Sequence, residues 1–143
     1  MEHARSGDLL LVRIDRGEEI VSSLLAALKA HDARGAVVVT GLGACEDVEI
    51  AYFDPVRRVY DKKVLAASQE IVALSGIVAR ANDKTYQPHF HIVLAGQNHN
   101  AQGGHLFRAR VSVLAEFALR LVDLDGMRRE PETEFGLTKL RFG

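Results

Sequence analysis

The residues best placed to do chemistry are three histidines. Two of them stand in Pro88-His89-Phe90-His91-Ile92-Val93-Leu94. Along a β-strand the side chains of residues i and i+2 share a face. His89 and His91 therefore point one way, while Phe90, Ile92 and Leu94 point the other way into a core. Two imidazoles about 7 Å apart along one strand face can chelate a single ion. The third histidine follows in Gly103-Gly104-His105-Leu106. The stretch from Gly96 to Gly104 is rich in Asn, Gln and Gly and reads as a loop. A hairpin there returns His105 beside the first two, and the paired glycines permit close backbone approach. Three His ligands with an open fourth position form a recognised zinc arrangement. The competing reading, polar residues on the wet face of an amphipathic strand, is the commoner one for an isolated His-x-His. His99 is a candidate fourth ligand but reads more simply as a loop residue. His3 and His31 have nothing convergent near them in sequence and read as surface residues.

The remaining candidates are weaker. Gly41-Leu42-Gly43-Ala44 follows an apolar strand, but a dinucleotide fingerprint needs glycine where Glu46 stands. The residues after it alternate like a strand rather than opening a helix, so a bulge or tight bend is the better reading. Cys45 beside it is expected to behave as a small buried hydrophobe. Glu70, Glu116 and Glu134 are the carboxylates worth naming. If Glu116 lies on a covered face it needs a partner, and Arg120, on the same strand face, supplies one. Glu116 or Glu70 beside a metal would be a general base. No Ser/His/Asp order stands out.

The elements that must position these groups follow from periodicity. Asp8–Asp15 reads as a strand, and Asp15-Arg16-Gly17-Glu18 as a variant capping box. Ile20, Leu24 and Leu28, with Val21 and Leu25, then mark one apolar stripe of a helix running to about His31, and Gly35 breaks the chain. After Gly35 the period changes to two: Val37–Val39, then Val48, Ile50 and Tyr52, then Val59–Val64 after an Asp54-Pro55 turn. Ile71–Ala79 is apolar on both faces and predicts a strand covered on both sides. With one helix available, the second cover would come from another subunit. Val111–Val122 fits a helix and a strand equally well and is assigned as strand because its neighbours are strands. The total is an α+β chain with one principal helix and six to eight strands in a mainly antiparallel sheet.

Composition narrows the function. The 143 residues make one domain, 1–143, with 48% apolar and 26% charged residues. Eighteen Lys+Arg against nineteen Asp+Glu give a net charge of −1, which lacks the basic footprint of a nucleic-acid binder. No apolar run reaches the ~20 residues of a membrane helix, and Met1–Arg5 lacks a signal-peptide core. The single cysteine excludes an intrachain disulfide and a cysteine-based metal site within one chain. A cytoplasmic location is the expectation.

Six segments together carry a family resemblance. They are a Gly-Glu-Glu helix start, Thr40-Gly41-Leu42-Gly43-Ala44, Ala51-Tyr52-Phe53-Asp54, Glu70–Ala79, Pro88-His89-Phe90-His91 and Gly103-Gly104-His105-Leu106. The pattern resembles the PPC domain, "plants and prokaryotes conserved", over nearly the whole chain from about residue 8. In plants that domain follows AT-hook segments in nuclear-localised DNA-binding proteins; in bacteria and archaea it stands alone. The resemblance implies a largely antiparallel sheet with one principal helix, assembled as a homotrimer. It also implies a divalent metal, zinc by preference, at His89, His91 and His105. DNA, or a protein partner, is implied by family analogy only, and no Arg-Gly-Arg-Pro core of an AT-hook occurs in these residues. The basic pairs Arg57-Arg58, Lys62-Lys63 and Arg128-Arg129 are scattered. Cupins also carry His-x-His on a strand, but they follow it with a Glu ligand where this chain has Leu94-Ala95-Gly96, and their layout does not start with a helix. The leading expectation is a homotrimeric binding or regulatory module with a three-histidine site. The alternative is a metal-dependent hydrolase or hydratase using the open coordination position, and a carboxylate within reach of the metal is what separates the two.

Overall fold

The four-residue apolar spacing after Glu19 winds into the one helix, α1 (Ile20–Ala30). A computed structural model describes residues 1–143. The helix cap is not Asp15, as the capping-box reading had it, but Glu19. Its carboxylate accepts from the backbone N–H groups of Val21 and Ser22 and from that of Ala109, which ties the helix start to the sheet. Glu18 still reaches back to the Asp15 N–H at 2.8 Å. The helix ends at Ala30 with His31 as its C-cap, close to the end the periodicity gives, and β3 begins at Gly35. Asp32 takes the left-handed position (φ 46°), Ala33 N–H donates to the Leu28 carbonyl and Asp32 N–H to that of Lys29. These two bonds satisfy carbonyls of the last turn, a closure usually made by glycine. Ile20, Leu24, Ala27 and Leu28 are completely buried.

Nine strands accompany the helix, all paired antiparallel, so the fold is α+β as expected. β1 (Glu2–Ser6) pairs with β2 (Leu9–Asp15), and β2 with β7 (Ala101–Leu121). β7 pairs with β6 (Tyr86–Ala95), β6 with β5 (Gln69–Arg80), and β5 with β3 (Gly35–Asp54). β3 carries β4 (Val59–Leu65) on its far half and also pairs with β7. The pairing β7–β6–β5–β3–β7 therefore closes on itself. A short hairpin of β8 (Arg128–Pro131) and β9 (Thr138–Arg141) follows. β1 carries no apolar alternation and lies outside the sequence reading, while the C-terminal strand that the resemblance implies is part of this two-stranded hairpin. The Val37 and Val48 runs are halves of one 20-residue strand, β3.

Glycine explains how so long a strand bends. Its register against β7 shifts between Val38 and Thr40, between Gly43 and Cys45, and twice more before Ile50. Gly43 sits at φ 130°, and a Cβ there would meet the backbone of Ala115 at 2.6 Å. The Gly41–Gly43 segment is thus the bend expected, with no phosphate loop. Cys45 beside it is buried, and burial, with Glu70 adding to it, pushes its thiol up to about 12.

β5 changes face part-way along its length, and one expectation on β7 needs correction. A bulge between Ile71 and Ala73 resets the alternation of β5. Ile71, Leu74 and Val78 face the core, and Val72 on the other face is 57% exposed. Within one chain the other face of β5 is open at Val72 and closed at its end, where Ala79 is completely buried, so the second cover expected from another subunit applies to the open part alone. Glu116 lies exposed, and Arg120 pairs with Asp8 at 3.4 Å instead. The core runs from the α1 stripe through Leu10, Val12 and Ile14 of β2 to Phe90, Ile92 and Leu94 of β6.

Candidate metal centre

Burying Phe90, Ile92 and Leu94 turns the alternate residues of β6, namely Gln87, His89 and His91, to the opposite face. The turn after β6 is shorter than the expected loop. It occupies Gly96–Asn100, and Gly103 and Gly104 already lie in β7. Their role is nonetheless close approach. A Cβ on Gly104 would lie 2.6 Å from the Ala51 carbonyl oxygen, and one on Gly103 would be driven into the Ile92 carbonyl and stand 3.1 Å from the Val93 Cα. β7 can thus lie tightly between β6 and β3, and His105 comes directly opposite His91 on one side and Ala51 on the other.

The three imidazoles converge. Their potential ligand nitrogens all lie within 4.8 Å of one another. His89 Nε2 and His91 Nε2 are 3.2 Å apart. Two nitrogens at about 2.0–2.1 Å from a tetrahedral ion stand about 3.3 Å apart, so this pair already has chelating geometry. His91 is exposed, and His89 and His105 are half-buried. Around them the ring of His105 packs against Tyr60 (centroids 5.0 Å) and Phe107 (4.8 Å). Lys62 sits over the Phe107 ring at 4.1 Å and pairs with Glu49 at 2.7 Å, a carboxylate it shares with Arg108.

The donor set suits a divalent ion. His105 Nδ1 is buried with no hydrogen-bond partner, a cost that coordination would relieve. Burial first, then the neighbouring His89, His91 and Arg129, lowers the His105 pKa to about 4. Burial, Arg129 and His91 lower that of His89. Imidazoles held neutral at physiological pH are the form that binds metal. No Asp or Glu acts on either ring. Glu70 and Glu116 instead flank a separate 200 Å³ depression with Leu42 and Val113, and Glu134 is exposed in the C-terminal segment.

His99 sits exposed at the turn with φ 59° and stays outside the cluster. His3 and His31 depart from the sequence reading. They are half-buried and hydrogen-bonded to each other at 3.0 Å, because β1 runs beside the C-terminal end of α1. Tyr60, Phe107 and Arg129 are the neighbours sequence reasoning missed. Phe107 was reachable, since it stands two residues beyond His105 on the same strand face. Arg129 had no local signal beyond its basic neighbour.

Comparison with known proteins bears on the whole arrangement. The Plants and Prokaryotes Conserved (PCC) domain matches residues 1–122. The chain belongs to this family. A candidate DNA-binding protein from Bacteroides thetaiotaomicron superposes with a TM-score of 0.91 at 26% identity, covering 99% of this chain and 96% of that one. A plant- and prokaryote-conserved protein of Pyrococcus horikoshii gives 0.82 at 26% identity, with 98% and 93% covered. A metal-containing protein from Archaeoglobus fulgidus gives 0.83 at 30% identity, with 96% and 95% covered. No curated protein matches the chain. The PCC fold is thus shared from end to end, while the family match stops before the β8–β9 hairpin.

Proposed function

We propose that this PCC protein is a homotrimeric metal-binding module, a single domain over residues 1–143, that holds zinc at His89, His91 and His105. The observation that carries the reading is the convergence of three imidazoles around a buried Nδ1 without a partner. The metal content of the Archaeoglobus relative supports it. A bound divalent ion with an open position would polarise a ligand or acidify a water there. The chain's own residues supply the pocket walls and no carboxylate base, which favours a binding role over the hydrolase or hydratase reading. Elemental analysis of protein prepared without a histidine tag is the test. We expect zinc near one equivalent per chain, lost in the His89→Ala/His91→Ala double variant. Full occupancy in that variant would sink the assignment.

The trimer reading rests on uncovered apolar surface. Leu11, Leu42 and Val113 are each more than half exposed. Leu11 and Leu42, with Ala4, Val12, Phe117 and Ala118, line a 470 Å³ depression across β1, β2, β7 and β3 that is rimmed by Glu2, His3, Arg13, Thr40 and Glu116. An exposed apolar patch with a polar rim of this kind marks association sites. Sedimentation equilibrium should return three times the 15.7 kDa chain mass. A monomer at micromolar concentration would refute the assembly.

DNA binding, suggested by the Bacteroides relative, is expected to be weak. In each scattered basic pair one member is already bound: Arg57 to Asp54, Lys62 to Glu49 and Arg128 to Glu130. Few charges remain to displace phosphate counterions. Titration of labelled duplex should give no sub-micromolar binding at physiological salt. Tight binding with a steep salt slope would replace this reading.

A further inference from the structure

Arg129 is the arginine of this chain that burial and charge balance leave most exposed to question. Its Nε is buried without an acceptor, its guanidinium makes no hydrogen bond, and no carboxylate pairs with it. Its neighbour Arg128, by contrast, is tied to Glu130 and to the carbonyls of Gly126 and Gly143. Arg129 is half-buried, and a partly desolvated guanidinium with no carboxylate partner is costly; burial accordingly pulls its pKa below the usual arginine value.

Its placement is specific. The backbone of Arg129, not its side chain, docks the C-terminal hairpin: its N–H donates to Gln87 Oε1 at 2.9 Å, and its carbonyl accepts from Gln87 Nε2 at 3.3 Å. Gln87 lies on the same strand face as His89 and His91. β8 therefore crosses the histidine face of β6, and the Arg129 charge is felt at both His89 and His105. With a divalent ion on three neutral imidazoles, the centre would hold the ion's charge and a guanidinium with no protein carboxylate to balance them. Lys62, the other nearby cation, already has Glu49, which it shares with Arg108.

We propose that Arg129 makes this centre a receptor for a small oxyanion, a carboxylate or a phosphate, whose anionic group is shared between the metal and the guanidinium. The inference rests on the metal reading above and names the class of ligand that site takes. Planar guanidinium and oxyanion match as a fork with two parallel hydrogen bonds. The Arg129 side chain thereby gains the acceptor it lacks, and the centre gains its counter-charge. Arg129 comes from beyond the segment matched by the family, so this ligand preference is carried by the C-terminal hairpin.

The test uses cobalt as a spectroscopic substitute in the full chain. Cobalt uptake is measured first, by metal analysis and by the visible spectrum. Inorganic phosphate and acetate are then titrated separately at constant ionic strength, against chloride. We expect saturable changes in the cobalt bands with phosphate or acetate and none with chloride, and the tighter of the two identifies the ligand as phosphate or carboxylate. Arg129→Met should take up cobalt normally and weaken that anion at least about tenfold, as losing a charged hydrogen-bond partner does. Arg129→Lys should fall between. Because the backbone makes the Gln87 bonds, neither variant should melt below the wild type, and Arg129→Met, relieved of the unpaired charge, should melt at or above it. Equal anion affinity in wild type and Arg129→Met, or no response to either anion, overturns the proposal alone. A wild-type chain that takes up no cobalt overturns the metal reading, and this inference with it, before any anion is added.

Discussion

Replacing His105 by alanine is expected to strip the metal from the protein. Removing groups that merely orient a ligand already costs about 10–100-fold in metal affinity, so losing a direct ligand should cost more than about 100-fold. Dialysis against a calibrated chelator followed by metal analysis reads this out. Thermal melting gives an independent view. Zinc present at about a thousand times its Kd adds about 4 kcal/mol to wild-type stability, or about 13 °C for a chain of this size. His105→Ala should show no such gain. Its metal-free form should nonetheless melt close to metal-free wild type, because the substitution also removes a buried Nδ1 that has no partner. A variant that melts normally yet still gains about 13 °C with zinc would place the metal elsewhere.

The same ring makes a pH signature. The His105 pKa lies at about 4 in the folded chain, against 6.5 for a free imidazole. Between these values the unfolded chain binds the proton and the folded chain does not, so unfolding is favoured by acid there. The contribution is fully present above pH 6.5, is lost as pH falls towards 4, and changes no further below. His89, shifted in the same direction, adds to it. Metal-free His105→Ala should lose stability less steeply over that window than metal-free wild type. Parallel curves would mean that the ring is not held neutral by its surroundings.

How much of this was legible in the sequence depends on how local the cause is. The α1 stripe, the core face of β6 and the shared face of His89 and His91 follow from period alone, and the structure keeps them. The approach of His105 was legible because glycines mark where backbone must come close, although the glycines act inside β7 and not in a loop. Parity was legible only up to a bulge. The shift at Ile71/Ala73 exchanges the faces of β5, and no side-chain pattern announces it because both faces of that segment are apolar. Partners fixed by tertiary contact were not legible. Glu116 has Arg120 four residues on, yet β2 brings Asp8 near Arg120. His3 finds His31 only because β1 joins the sheet edge. Arg129 reaches the histidines through a glutamine side chain that grips its backbone from another strand. Such a contact depends on the closed sheet already being in place.

Gly103→Ala is expected to damage both the fold and the site, and more than a single methyl group suggests. Gly103 stands opposite Val93 in the β6–β7 ladder, two residues from the His91–His105 pair. An added Cβ would run into the Ile92 carbonyl and sit 3.1 Å from the carbon atoms beside it. These are backbone atoms, so no rotamer change can relieve the contact and the two strands must part. Overpacking of this kind costs about 1–3 kcal/mol and occasionally more. With backbone on both sides of the clash we expect the upper end, about 3 kcal/mol, or about 10 °C in melting temperature. Parting β6 from β7 also lengthens the distance from His105 to His89 and His91, and a shift of a few tenths of an ångström is enough to spoil bonds of about 2.0–2.1 Å. Metal affinity should therefore fall by tenfold or more even in the fraction that folds. Val93→Ala, which trims the partly exposed residue across the ladder, is the matched control and should leave metal binding unchanged. The comparison is made by melting with and without zinc and by chelator competition. If Gly103→Ala melts with the wild type and holds zinc as tightly, close backbone approach is not what the glycine provides, and the route by which His105 reaches its partners would have to be sought in the Gly104–Ala51 contact instead.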